Sequence, residues 1–275
     1  MKKIVSAIWL HENLNDNNLI ILDASLGATI DGTQTDLNEK SIPNSRYFDL
    51  KANFSDGNAA FPNTIPTAAD FEVECQKLGI NNESKIVVFD NMGVYSSPRV
   101  WWMFKVMGHK KVSVLDGGLP EWKAQSFRVE EGKELNWKPG NFKAVLQQEL
   151  IVTYEEVVAN TKKPSFLIVD ARSEGRFNGT EPEPRKQLQS GSIPHSVNIP
   201  YTEVLENGKF KSKGALQEVL DDSVEQDTDL VFSCGSGLTA CIIMLASEIA
   251  GQNSKRVYDG SWTEWAELQN LKTGL

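Results

Sequence analysis

Cysteine and histidine are scarce in this 275-residue chain, at three residues each. Cys75, Cys234 and Cys241 are too few for a disulfide framework, and the three histidines show no zinc-ligand spacing. The expectation is a free thiol in a reducing compartment, with the cytoplasm as location and no metal or cofactor. Positive charge is also in short supply: 28 Lys and Arg face 37 Asp and Glu, a net charge of −9. That balance argues against nucleic acid and anionic membranes as partners, since both need a basic surface. Long apolar runs are missing. Ile4 to Leu10 ends at His11-Glu12-Asn13 without a small-residue cleavage site, so no signal peptide is predicted. No stretch approaches the ~20 apolar residues of a membrane span. With 40% apolar and 24% charged residues, the composition is that of a folded protein of one large or two ordinary domains.

What the chain does have is a copy of itself. Leu115-Asp116-Gly117-Gly118-Leu119-Pro120-Glu121-Trp122 matches Tyr258-Asp259-Gly260-Ser261-Trp262-Thr263-Glu264-Trp265, an offset of 143. The same offset carries Val88-Phe89 onto Val231-Phe232. Leu22-Asp23-Ala24 pairs with Val169-Asp170-Ala171 at 147, and Ser41-Ile42-Pro43 with Ser192-Ile193-Pro194 at 151. A repeat this long means tandem domains, with insertions in the loops. We expect domains at 1–128 and 149–275, with a polar linker at 129–148. Each half alternates strand and helix. Lys85–Phe89, Phe166–Val169 and Asp229–Phe232 read as buried parallel strands, and Leu238–Ile249 as a helix closed by Gly251. The fold class is therefore α/β, each half a mainly parallel sheet flanked by helices.

Ligands of open α/β sheets bind at the carboxyl ends of strands. Cys234-Gly235-Ser236-Gly237-Leu238-Thr239 stands there, between strand and helix, and its glycines allow a tight curve of inward amides. A helix N-terminus lowers a cysteine pKa from about 8.5 toward about 3.5–7.5, which suits a nucleophile kept ionised and within reach of solvent. A lone Gly235-Ser236-Gly237 is only a weak dinucleotide signal. Ser236 lacks the preceding glycine of a serine-hydrolase elbow. A cysteine phosphatase would need an arginine where Ala240 and Cys241 stand. Cys241 and Cys75 read as buried helix residues.

These features together resemble the two-domain rhodanese superfamily, and within it the mercaptopyruvate type, over about Ile20 to Trp265. The resemblance implies a persulfide on Cys234 and an inactive first half, where Asn91 takes the cysteine position. It also implies donor binding by Arg176 and Arg185, a catalytic role for Ser236, and loop contacts from Gly235, Gly237, Leu238 and Thr239. Thiosulfate-preferring relatives carry basic residues in this loop, whereas Gly235 and Ser236 are neutral. The implied partners are a small-molecule sulfur donor and a thiol acceptor, either a thioredoxin-like protein or a low-molecular-weight thiol. Two alternatives stay open: a thiosulfate:cyanide sulfurtransferase and a persulfide carrier without turnover. Ser41 and Ser192 replace the histidines of the family's His-Ile-Pro, so a relay of histidine, aspartate and loop serine is not expected from Ser41. Arg172 is expected to brace a strand end, Arg99 to form a structural ion pair, Trp101 and Trp102 to pack, and His109 to sit as a cation at a helix end.

Overall fold

The computed structural model describes residues 1–30, 32–131, 137–225, 228–252 and 256–271. The chain divides into two compact units. One holds residues 1–57, 65–147 and 207–210; the other holds 58–64, 148–206 and 211–275. Part of the expected linker, 132–136, lies outside the described residues, and the rest of it up to Gln147 belongs to the first unit.

The first unit runs β1 (Ile4–Val5), α1 (Ala7–Glu12), β2 (Leu19–Asp23), β3 (Arg46–Tyr47), α2 (Ala68–Lys77), β4 (Lys85–Phe89), α3 (Ser97–Val106), β5 (Val112–Leu115) and α4 (Gly118–Ala124). Its strands are short and apolar, as expected where both faces of a sheet are covered. They pair in parallel in the order β1-β5-β4-β2-β3. The second unit runs β6 (Ile151–Val152), α5 (Tyr154–Lys162), β7 (Leu167–Asp170), α6 (Glu174–Asn178), β8 (Ser196–Asn198) and the short β9 (Leu205–Glu206). After β10 (Lys209–Phe210), which belongs to the first unit, it continues through α7 (Lys213–Asp221), β11 (Leu230–Ser233), α8 (Ala240–Ala250), β12 (Arg256–Tyr258) and α9 (Ser261–Leu268). Its sheet order, β6-β12-β11-β7-β8, repeats the first element for element, again all parallel.

Local chemistry sets the helix ends. Ser6, Thr67, Ser173 and Ser212 each accept a backbone N–H from the first turn they precede, and Thr153 with Glu156 forms a full capping box. Each sheet has its own core: Leu10, Ile21, Val87, Phe89 and Trp122 in the first unit, Ile168, Val231, Tyr258 and Trp262 in the second. Trp101 and Trp102 are fully buried, as expected. Arg99 is also buried, with its guanidinium 4.7 Å from the Trp102 ring centroid, a cation–π contact. Among the described residues no helix is long and apolar enough to cross a membrane.

His109 departs from expectation. It is buried against Phe104 and Phe142, and its Nε2 donates to the Ser84 carbonyl at 3.0 Å. Burial pushes its pKa below the ordinary 6.5, so the ring is held neutral and does not act as a helix-end cation. Below pH 6.5 the unfolded chain takes up a proton that the folded imidazole resists, so stability falls as pH drops through that window. This group contributes a slope of at most about 1.4 kcal/mol per pH unit. Urea midpoints at pH 7.5 and 5.5 should therefore move closer together in His109→Gln than in the wild type.

Candidate active site

The order of the second sheet reverses between β11 and β7, and such a switch point opens a crevice at the strand ends. Ser233, the last residue of β11, is in register with Asp170, the last of β7, and the Ala171 amide donates to the Ser233 carbonyl at 2.9 Å. Cys234 follows directly. Six residues, Cys234 to Thr239, separate β11 from α8, which begins at Ala240 and not at Leu238. Cys241 consequently sits in the first turn of α8, buried, with Sγ 3.4 Å from the Gly237 carbonyl. Thr239 occupies the N-cap position in a helical backbone conformation, and its side chain caps nothing.

The start of α9 clamps this loop. Ser261 Oγ accepts the amides of Cys234 and Gly237, both at 3.1 Å, and donates to the Tyr258 carbonyl at 2.8 Å. Its backbone is left-handed, φ +52°, a strained choice for a residue with a Cβ. The 143-residue offset puts Gly118, φ +51°, at the same place in the first unit. The Trp262 and Thr263 amides close on the Cys234 and Gly235 carbonyls at 2.9 and 3.0 Å, and Thr263 Oγ1 donates to the Gly235 carbonyl at 2.6 Å. Two loop amides expected to face a ligand are thus taken by Ser261.

The remaining amides are not taken. Those of Gly235, Ser236, Leu238, Thr239 and Ala240 have no partner among the described residues, although all five residues are buried. Buried N–H groups are seldom left so in a folded protein, and a run of them is suited to an anion. The first unit shows the contrast. At the equivalent loop the Asp90 carboxylate accepts the amides of Tyr95, Ser96 and Ser97 at 2.9, 3.1 and 2.9 Å, and the Ser97 hydroxyl at 2.6 Å. The residue aligned with Asp90 is Ser233, whose buried hydroxyl has no partner among the described residues. Asn91, aligned with Cys234, likewise has both side-chain amide atoms buried without a partner among the described residues. One loop carries its own carboxylate; the other leaves the amides open.

Two arginines border the open loop. Arg172 is fully buried and braces the strand end as expected, bonded to Asp170 through Nε and Nη2 and to Glu183 Oε1 at 2.6 Å through Nη1. Glu183, also buried, pairs with Arg176 Nη2 at 2.6 Å. Arg176 is therefore neutralised by a glutamate, yet it lies at the loop: its Nη2 would be 2.9 Å from a Cβ built on Gly235. Arg185 Nη1 donates to Thr263 Oγ1 at 3.1 Å. Burial lowers the Arg185 pKa, and the charge of nearby Cys234 opposes that shift. Cys234 itself is only 2% exposed, less open than the sequence suggested, in a loop that also buries Ser236 and Thr239.

Ser236, 5% exposed, accepts from Asn63 Nδ2 at 2.9 Å on Oγ and at 3.3 Å on its carbonyl. Ser41 bonds Asp23 Oδ2 at 2.7 Å, and burial raises that aspartate's pKa. His195, φ +61°, is exposed. Sequence reasoning missed Asn63, Glu183, Ser233, Ser261 and Thr263 as parts of this site. Ser261 alone left a readable trace, since it stands where the repeat has a glycine.

Ser233→Asp should place a carboxylate on the amides of Leu238 to Ala240, as Asp90 does in the first unit. A negative charge there disfavours the thiolate, so alkylation of Cys234 by iodoacetamide should slow about tenfold or more. Ser233→Ala should leave the rate unchanged. An unchanged rate in Ser233→Asp would refute the idea that the amides are open to an anion.

A family model described as a rhodanese-like domain matches residues 6–125 and again 153–268. The 3-mercaptopyruvate sulfurtransferase of Mus musculus is 38% identical over 274 residues, covering 96% of this chain and 92% of its own. The thiosulfate/3-mercaptopyruvate sulfurtransferase 1, mitochondrial, of Arabidopsis thaliana is 37% identical over 295 residues, covering 98% and 77%. The crystal structure of the 3-mercaptopyruvate sulfotransferase SseA from Escherichia coli superposes with a TM-score of 0.86 at 31% identity, covering 95% of this chain and 99% of that one. With the matching sheet orders of its two units, this chain belongs to the rhodanese family as a tandem pair of rhodanese-like domains.

Proposed function

We propose that this protein is a sulfurtransferase that takes sulfur from 3-mercaptopyruvate onto Cys234 and passes it to a thiol or to cyanide. The observation that carries the reading is the second unit's loop: a thiol followed by five amides without partners among the described residues, with Arg176 against Gly235 and Arg185 joined to the Gly235 carbonyl through Thr263 Oγ1. The Cys234 thiolate attacks the donor's sulfur. An S–S bond forms, the C–S bond breaks, and its electron pair passes to the pyruvate enolate. The sulfur's proton ends on the enolate carbon by way of solvent, leaving pyruvate and an ionised persulfide, so no oxidant is consumed.

Arg185 and Arg176 hold the donor's carboxylate and carbonyl oxygens, for which a guanidinium fork is suited. The Ser236 hydroxyl donates to the enolate oxygen as charge develops there. The open amides then hold the persulfide anion. A second thiolate attacks the outer sulfur and restores Cys234, giving ping-pong kinetics. The acceptor is a low-molecular-weight thiol or a thioredoxin-like protein, in a reducing compartment such as the cytoplasm. A thiosulfate donor is the second reading, favoured by the double name of the Arabidopsis relative. Turnover of the two donors by purified protein separates them.

Intact mass after exposure to 3-mercaptopyruvate should rise by about 32 Da, one sulfur atom, in the wild type and not in Cys234→Ala. Release of pyruvate without that adduct would overturn the persulfide step. Arg185→Ala should lower kcat/KM for mercaptopyruvate by about 10- to 100-fold, the worth of a charge-assisted hydrogen bond. Alkylation of Cys234 by a neutral reagent should change far less, and equal losses in both assays would remove the carboxylate role.

A further inference from the structure

Asn63 lies in the first half of the sequence, yet it belongs to the second unit through residues 58–64. Its backbone is left-handed, φ +60°, and Thr64 Oγ1 ties the turn to the Phe61 carbonyl at 2.8 Å. From there one nitrogen, Nδ2, reaches two atoms of Ser236: Oγ at 2.9 Å and the carbonyl oxygen at 3.3 Å. A carbonyl oxygen only accepts, so the group facing Ser236 is the amide NH2, and the bond to Oγ is a donation by Asn63.

That polarity matters. A serine hydroxyl has one proton and two lone pairs. With a lone pair of Oγ engaged by Asn63, the hydroxyl's proton is left for another acceptor. A hydroxyl that accepts one hydrogen bond also becomes a better donor of its own. Ser41 bonds Asp23 and Ser45 within the first unit, so the partner that the structure gives Ser236 is Asn63. A carboxamide neither gains nor loses a proton across the physiological range, so it cannot relay one.

We propose that Asn63 is a positioning residue for the sulfur-transfer step, acting through Ser236. By donating to Oγ it makes Ser236 a hydrogen-bond donor toward the enolate oxygen released when the donor's C–S bond breaks. No acid–base group takes part at this point. The inference rests on the sulfurtransferase reading above. Its consequence is that Asn63 affects kcat through the direction of one hydrogen bond and leaves donor binding nearly unchanged.

The test is a double-mutant cycle on the full chain, with kcat and KM for 3-mercaptopyruvate measured in Asn63→Ala, Ser236→Ala and the double variant, alongside Asn63→Asp. Asn63→Ala should lower kcat about 2- to 10-fold, the worth of one neutral hydrogen bond, with KM within about twofold. In the Ser236→Ala background the same change should cost nothing further. Asn63→Asp keeps the shape but reverses the polarity: a carboxylate draws the hydroxyl's proton to itself and faces the Ser236 carbonyl. It should therefore be worse than Asn63→Ala.

An Asn63→Asp variant no worse than Asn63→Ala would overturn the proposal. So would equal losses on Asn63→Ala with and without the Ser236 hydroxyl. The rate of Cys234 alkylation by iodoacetamide, expected within about twofold of wild type in Asn63→Ala, checks that the loop is still formed. The wild-type mass adduct separates the two claims. If it is absent, the sulfurtransferase reading fails; if it is present while the cycle is additive, the role of Asn63 alone fails.

Discussion

Everything at this site depends on where buried backbone N–H groups find acceptors. A strand that runs into a helix through a tight loop leaves a cluster of amides that the helix itself cannot satisfy. The two halves of this chain meet that constraint in two ways. In the first, Asp90 turns its carboxylate back onto the amides of Tyr95, Ser96 and Ser97, and the loop is closed to any other anion. In the second, a serine too short to reach stands in the aspartate's place, and five amides have no partner among the described residues. The first half thus differs from the second by more than the exchange of a cysteine for Asn91, because its loop amides are also already occupied.

Holding an open loop in shape requires support from elsewhere, and α9 supplies it. Ser261 accepts a left-handed backbone and in return holds two loop amides, while Trp262 and Thr263 hold two loop carbonyls. The charges are supported in a similar chain: Asp170 holds Arg172, Arg172 holds Glu183, and Glu183 holds Arg176 against Gly235. Buried ion pairs of this kind add little net stability, because desolvation offsets their attraction. Their effect here is on geometry. A flexible arginine fixed at two of its nitrogens loses less freedom when an anion arrives.

Much of the architecture was legible in the chain. Asp116-Gly117-Gly118 against Asp259-Gly260-Ser261, and the apolar runs ahead of Asp90 and Ser233, announced two copies of one parallel-sheet unit, because buried strands and tight turns constrain residue type locally. The place of the candidate loop was legible for the same reason, since few settings put a cysteine and two glycines between a strand and a helix. The helix boundary was misread by two residues because Leu238 and Thr239 continue the apolar pattern while the backbone is still curving around the loop. His109 was misread because a helix-end position says nothing about whether the ring is then buried.

Sequence alone determined that a cysteine stands in the strand-to-helix loop of the second half and Asn91 in that of the first, and that the fold is a duplicated α/β sheet, because each of these follows from residue type and spacing along the chain. Tertiary structure decided which groups surround that loop: Asn63 joins Ser236 from 173 residues away, and Thr263 joins Arg185 from 78. Hydrogen bonds between distant segments leave no periodic trace in sequence. Their partners are set by the packing of separate elements and not by the local preferences of either one.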